Sequence, residues 1–178
     1  KSDCVNYGYN YLPNFYVKTN LNDKNTEPLF DLIFIGKGHT DRITLIDKIK
    51  RQLTGHIKTK FIIRIPWYRY FFEKYIYSKR GVLSINDFTF KNISFNKVQN
   101  LTNLSKVILD IHNPYQNGLT QRNFDALGKG RAIITTNASI VEENFYDPNI
   151  IQILDRDNPI INIDIFKRKI NSVDGFEE

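Results

Sequence analysis

One cysteine, Cys4, stands in a chain of 178 residues, which excludes an intrachain disulfide. A reducing, cytosolic setting is the simpler expectation. The three histidines, His39, His56 and His112, lie far apart, and with a single cysteine they form no recognisable zinc spacing. Methionine is absent, initiator included, so the chain is expected to be a piece of a longer protein or a processed one. No stretch approaches the roughly 18 apolar residues of a membrane span. The first residues lack the basic-then-apolar pattern of a secretory signal.

What is present suffices for one domain with a small appendage. Hydrophobic residues make up 41% of the chain, enough for a single core, and aromatics are abundant at 13%. The net charge of +6 permits an anionic partner: nucleic acid, an anionic membrane face or a phosphorylated small molecule.

Residues 1–28 are polar and aromatic and end in NLNDKNTEP, a linker by composition. The organised domain is expected over 29–178. Leu32 to Ile35 has strand length and runs into the loop Gly36-Lys37-Gly38-His39. Thr40 is placed to cap a helix, with Asp41 in its first turn. Ile43, Ile46, Ile49 and Leu53 recur at helical spacing up to Gly55. Phe61 to Ile65 reads as a strand, Trp67 to Tyr77 as an aromatic and basic helix, and Leu83 to Phe90 as a weak strand. Ser94 is placed to cap a helix carrying Phe95, Val98 and Leu101. Val107 to Ile111, Ala132 to Thr136 and Asn149 to Leu154 read as strands. Thr120 to Leu127 and Asp164 to Ile170 read as helices. The alternation predicts an α/β domain: a Rossmann-like, mostly parallel sheet flanked by helices.

Two strand-to-helix loops carry chemistry. In Gly36 to Arg42 the glycines allow close approach to the backbone, and Arg42 suits a phosphate. This is neither a Walker loop nor GxGxxG, because the GK[ST] ending and the third glycine are missing. The competing reading is a tight turn with surface charges. In the second loop Gly118 and Thr120 stand at a helix start, where free N–H groups favour an anion. Arg122 and Asp125 are three apart and share a face; the alternative is an exposed intrahelical ion pair, worth little. The arginine suits a phosphate and the carboxylate suits a ribose or sugar hydroxyl.

Asp110 and His112 share one strand face, either as a general base or, preferentially, with Asp110 accepting hydrogen bonds from nearby loops. Asp155-Arg156-Asp157 is too short to define a metal site and reads as a solvated turn. The basic and aromatic mixture of Arg64 to Arg80 suits base stacking, a membrane interface, or a buried aromatic helix with snorkelling cations.

The run SKVILDIHNPYQNGLTQRNFDALGKGRAIITTN resembles the donor half of bacterial GT-B glycosyltransferases, group-1-related, of lipopolysaccharide and capsule assembly. DLIFIGKGHTDR and FYDPNIIQILDRDNP are similar to the first strand and loop of that half and to a stretch near its end. The resemblance spans roughly residues 10 to 170. It implies one Rossmann-like half of a GT-B fold, with a missing N-terminal domain that binds the acceptor.

It also implies a nucleotide-sugar donor, UDP-linked by analogy, and a glycan or lipid-linked acceptor. No metal, cofactor or nucleic acid is implied. Localisation is expected to be cytoplasmic, with peripheral contact at the inner face of the membrane. The family's donor motif has two glutamates eight apart, the first followed by glycine. Asn117 and Asp125 occupy those places here, with Gly118 after the first. By resemblance the donor site comprises Gly36, Gly38, His39 and Arg42 together with Asn117, Gly118, Leu119, Thr120, Arg122 and Asp125. Arg42 and Arg122 would neutralise the diphosphate, Asp125 would hold the ribose, and the backbone near Phe90 to Ser94 would meet the base. The catalytic base would come from the missing half, so this chain is expected to bind donor without turning it over. The competing reading is a non-catalytic α/β nucleotide- or partner-binding module. A third is a metal-dependent transferase using Asp155 and Asp157.

Overall fold

The computed structural model describes Tyr7 and residues 27–39, 41–55, 57–77, 81–115 and 118–168, apart from the side chains of 73–77. Thr40, Asn117, the linker stretch up to residue 26 and residues 169–170 of the expected last helix lie outside the described residues.

Six strands form one sheet: β1 Phe30–Lys37, β2 Thr59–Arg64, β3 Phe88–Thr89, β4 Ser105–Asp110, β5 Ala132–Thr135 and β6 Ile151–Ile153. Their order is β3-β2-β1-β4-β5-β6 and every pairing is parallel. Four α-helices connect them: α1 Arg42–Leu53, α2 Trp67–Tyr77, α3 Phe95–Asn103 and α4 Gln121–Gly128. The fold is therefore the α/β, Rossmann-like arrangement that the alternation of the sequence predicts.

Strand alternation divides the core in two. Leu32 and Phe34 of β1, with Phe61, Ile63, Val107 and Leu109, face one layer. There they meet Ile43, Ile46, Ile49 and Leu53 of α1, together with Ile161, Ile165 and Phe166. Ile33, Ile35, Ile108 and Ile133 face the other, against Ala126 and Leu127 of α4, with Val98 and Leu101 of α3 packed alongside. Each fully buried Leu or Ile contributes roughly 1.5–3 kcal/mol. The i, i+3, i+6, i+10 spacing on α1 thus fixes that helix to the sheet.

Local chemistry sets the ends. Ser94 Oγ accepts the Lys97 N–H at 3.4 Å and caps α3. Gly55 ends α1's connection with φ +85°, a left-handed conformation that suits glycine. Lys50 and Arg51 lie in α1's last turn, where cations favour the helix dipole.

Three expected elements differ. Over Leu83–Phe90 only Phe88–Thr89 pairs as strand, because Ile85–Asp87 turns as a 3₁₀ helix. The Asp87 carboxylate there accepts the Ser84 N–H at 2.6 Å and holds the turn closed. The last strand is shorter than Asn149–Leu154, since Asp147 accepts the Asn149 N–H at 2.8 Å and keeps that residue in a turn. Within the described residues the expected final helix is a 3₁₀ turn, Ile163–Lys167, where Asn162 accepts the Asp164 N–H at 3.0 Å.

Candidate functional site: a basic cluster at the switch point

The sheet runs outward in two directions from the β1/β4 pair, so chain connections leave the C-terminal ends of these two strands on opposite sides. This is the crevice in which open parallel sheets bind ligands. Both stretches singled out in the sequence lie at this edge: Gly36 and Lys37, expected in the loop, pair with β2 as the last residues of β1, Gly38 follows them and Arg42 opens α1, while Gly118 to Arg122 leads into α4 after β4.

The side chains meet there. Arg122, at the second position of α4, donates from Nη1 to Asp110 Oδ1 at 3.2 Å, and its guanidinium lies 5.8 Å from the Phe34 ring centroid. Asp110 is the last residue of β4, buried to 1% exposure, and also accepts from Thr135 Oγ1 at 3.4 Å. Asp110 is thus a hydrogen-bond acceptor, as preferred, but its donors lie on α4 and β5 and not on nearby loops. Arg42, the first residue of α1, reaches the Lys37 carbonyl at 3.4 Å and His39 Nε2 at 3.0 Å.

Arg156 completes the cluster and was missed as a site residue because it sits inside a short acidic motif. It donates to both oxygens of Asp41, Nε to Oδ2 at 2.6 Å and Nη2 to Oδ1 at 2.8 Å. Its Nη1 reaches the His112 carbonyl at 3.2 Å. The available signal was position: Arg156 follows the last strand at the same edge as the other two. Asp41 is the N-cap residue of α1 but makes no side-chain cap bond; its carboxylate is committed to Arg156. Asp155 accepts the N–H groups of Asp157 and Asn158 at 2.8 and 3.2 Å, the solvated turn expected of it. Among the described residues, no three His, Cys, Asp or Glu side chains converge as a metal site.

The cations of the cluster act on one another and on the two histidines. Burial, and then the neighbouring Arg122 and Arg156, lower the Arg42 pKa from its usual value. Burial and Arg42 lower the pKa of His39; burial and Arg156 lower that of His112. Two buried polar atoms at this edge, Arg42 Nε and Thr120 Oγ1, have no hydrogen-bond partner. Unpaired buried polar groups are costly in a closed protein.

The remaining expected residues divide. Asn137 Nδ2 holds the Gly118 carbonyl at 3.2 Å and fixes that loop against the end of β5. A Cβ on Gly118 would meet nothing within 4 Å, so the backbone there is open to approach. Gly36 and Gly38 have packing reasons instead. A Cβ on Gly38 would lie 2.6 Å from Ile63 and 2.8 Å from Ile65, and one on Gly36 would lie 2.8 Å from the Phe34 ring. Leu119 packs against the α4-side core. Asp125 does not pair with Arg122. It accepts from Gln99 of α3 at 3.4 Å and Gln121 at 3.3 Å, one turn below the cluster.

The aromatic helix departs from a buried arrangement. Tyr70 packs against Phe88 and Phe90, whereas Trp67, Tyr68, Phe71 and Phe72 are each more than half exposed. These four positions recur at i, i+1, i+4 and i+5 and share one face. Arg69 acts electrostatically on His39, so this helix borders the basic cluster. Among the described residues, no helix is long and apolar enough to cross a membrane.

Fold and site together define a Rossmann-like α/β domain with a basic crevice at the switch point of its sheet. No protein-family model, curated protein or solved structure matches the chain.

Proposed function

We propose that the domain binds a nucleoside diphosphate sugar and serves as the donor half of a GT-B glycosyltransferase of the lipopolysaccharide or capsule type. The observation that carries this reading is the convergence of Arg42, Arg122 and Arg156 on the ends of β1 and β4, beside the unpaired donors Arg42 Nε and Thr120 Oγ1. Three guanidinium groups against the carboxylates of Asp41 and Asp110 leave one net positive charge, with backbone and hydroxyl donors around it. A diphosphate matches that donor set.

The chemistry follows from charge. When the bond at the anomeric carbon breaks, the departing diphosphate gains negative charge. Preorganised arginines and the N-terminus of α4 stabilise it. Asp125 in this reading takes the ribose hydroxyls, which displace the amides of Gln99 and Gln121; both existing bonds are long and weak. The exposed aromatic face of α2, next to the site and in a chain of net charge +6, supports a lipid-linked acceptor presented at an anionic membrane surface.

Calorimetry with UDP, uridine and pyrophosphate, with and without EDTA, tests the reading. UDP and pyrophosphate should bind and uridine should bind much more weakly, whether or not a chelator is present. Arg42→Ala or Arg122→Ala should reduce UDP binding far more than uridine binding. Loss of UDP binding in EDTA would favour metal-assisted chemistry. Absence of any diphosphate binding would favour the non-catalytic module.

A further inference from the structure

His112 adjoins Arg156 of the cluster, and its hydrogen bonds fix where its proton sits. The Thr136 hydroxyl has one hydrogen and two acceptor positions. The His112 main-chain N–H donates to Thr136 Oγ1 at 3.1 Å, and Arg156 Nη1 donates to the same oxygen at 3.4 Å. Neither of these groups is able to accept. Both acceptor positions of Thr136 are therefore taken, and its hydrogen is what remains for His112 Nδ1, 2.8 Å away. Nδ1 must accept. A neutral imidazole that accepts at Nδ1 carries its proton on Nε2. An imidazolium would bring a third donor to the Thr136 oxygen and a second cation beside Arg156.

His39 has the opposite arrangement. Arg42 Nη1 donates to His39 Nε2 at 3.0 Å, and a guanidinium does not accept, so the His39 proton sits on Nδ1. The two histidines of the site are thus neutral and opposite tautomers. One is engaged in holding Arg42. The other presents an N–H that has no acceptor among the described residues.

We infer that His112 is a ligand-binding residue: its Nε2–H donates to an anionic oxygen of the diphosphate, and Thr136 is the positioning residue that sets its tautomer. The inference rests on the diphosphate reading above. Arg156, Asp110, Arg42 and Asp41 all act electrostatically on this imidazole.

The test combines nitrogen NMR on the chain labelled at histidine with pyrophosphate titration. Without ligand, His112 should show an acceptor-type Nδ1 and a protonated Nε2. Thr136→Ser should keep that pattern and Thr136→Val should lose it. On adding pyrophosphate the Nε2–H resonance should shift. His112→Gln, whose amide N–H reaches about as far as Nε2, should hold pyrophosphate within about threefold of the unmodified chain. His112→Asn and His112→Leu should lose about tenfold or more, the scale of one hydrogen bond to a charged group. A protonated Nδ1 in the free protein would overturn the tautomer argument. Unaltered affinity in His112→Leu would overturn the binding role. If pyrophosphate shifts the arginine side chains but leaves His112 Nε2 unmoved, the His112 inference fails and the diphosphate reading stands. If it shifts none of them, both fail.

Discussion

Replacing Arg122 with alanine exposes the energetic logic of the cluster. Asp110 is 1% exposed and has two partners, Arg122 at 3.2 Å and the Thr135 hydroxyl at 3.4 Å. Without Arg122 its carboxylate keeps one long hydrogen bond in a dry environment. Stranding one member of a fully buried ion pair costs about 3–5 kcal/mol. The Arg122 side chain is 31% exposed and contributes a single contact, which moves the expected loss below that range, to about 2–3 kcal/mol. Asp110→Ala should cost less, because a freed Arg122 is able to turn into water. The double variant should be little worse than Asp110→Ala alone. Urea unfolding of the four chains measures the cycle, with an expected coupling of about 2 kcal/mol. Pyrophosphate affinity adds a second readout: it should fall more in Arg122→Ala than in Asp110→Ala, where the cation survives. Additivity within about 0.5 kcal/mol would refute the reasoning, since Asp110 would then not be what holds Arg122 at the switch point.

Three further outcomes are expected. Gly38→Ala should destabilise by about 1–3 kcal/mol, because its Cβ would press into Ile63, Ile65 and Ile43 at 2.6–3.0 Å. Gly118→Ala should stay within about 0.5 kcal/mol of the unmodified chain, and equal losses at the two positions would contradict the packing argument. Burial and neighbouring cations hold the folded pKa values of His39 and His112 below their unfolded value. Their contribution to stability is therefore complete above about pH 6.5 and is lost as pH falls through the folded values. The His39→Gln/His112→Gln chain should accordingly lose less stability between pH 7 and pH 5, and parallel profiles would exclude this. Trp67 is the sole tryptophan, so its emission reports on α2 alone. It should shift to the blue on vesicles containing phosphatidylglycerol and not on neutral ones, and Phe71→Ser/Phe72→Ser should abolish the shift; an unchanged spectrum removes the lipid contact.

Much of this protein is legible in its sequence because the relevant rules are local. A strand buried on both faces reads as an apolar run, as Leu32 to Ile35 and Val107 to Ile111 do. A helix packed on a sheet repeats its apolar residues, as Ile43 to Leu53 do. Alternation of the two then implies a parallel sheet, since parallel neighbours need a crossover between them. The C-terminal loops of β1 and β4 were identifiable as candidates for the same reason, through glycine and arginine at helix starts. Short edge elements were less legible. Ser84 to Asp87 and Asn162 to Asp164 close turns through their own side chains, which propensity alone does not weigh against strand or helix.

Only the tertiary structure decided which of these residues act together. Strand order places β1 beside β4 although more than sixty residues separate Lys37 from Asp110, and that adjacency creates the crevice. It turned Arg156 from part of an acidic turn into the partner of Asp41, 115 residues away. It also separated Arg122 from Asp125, three apart on one helix: one side chain is drawn to a buried aspartate at the sheet edge, the other to a glutamine of α3. Sequence determines which groups a segment carries and which face it presents. Distances between segments depend on the register and order of the sheet, and hydrogen bonding and Coulomb attraction act through those distances.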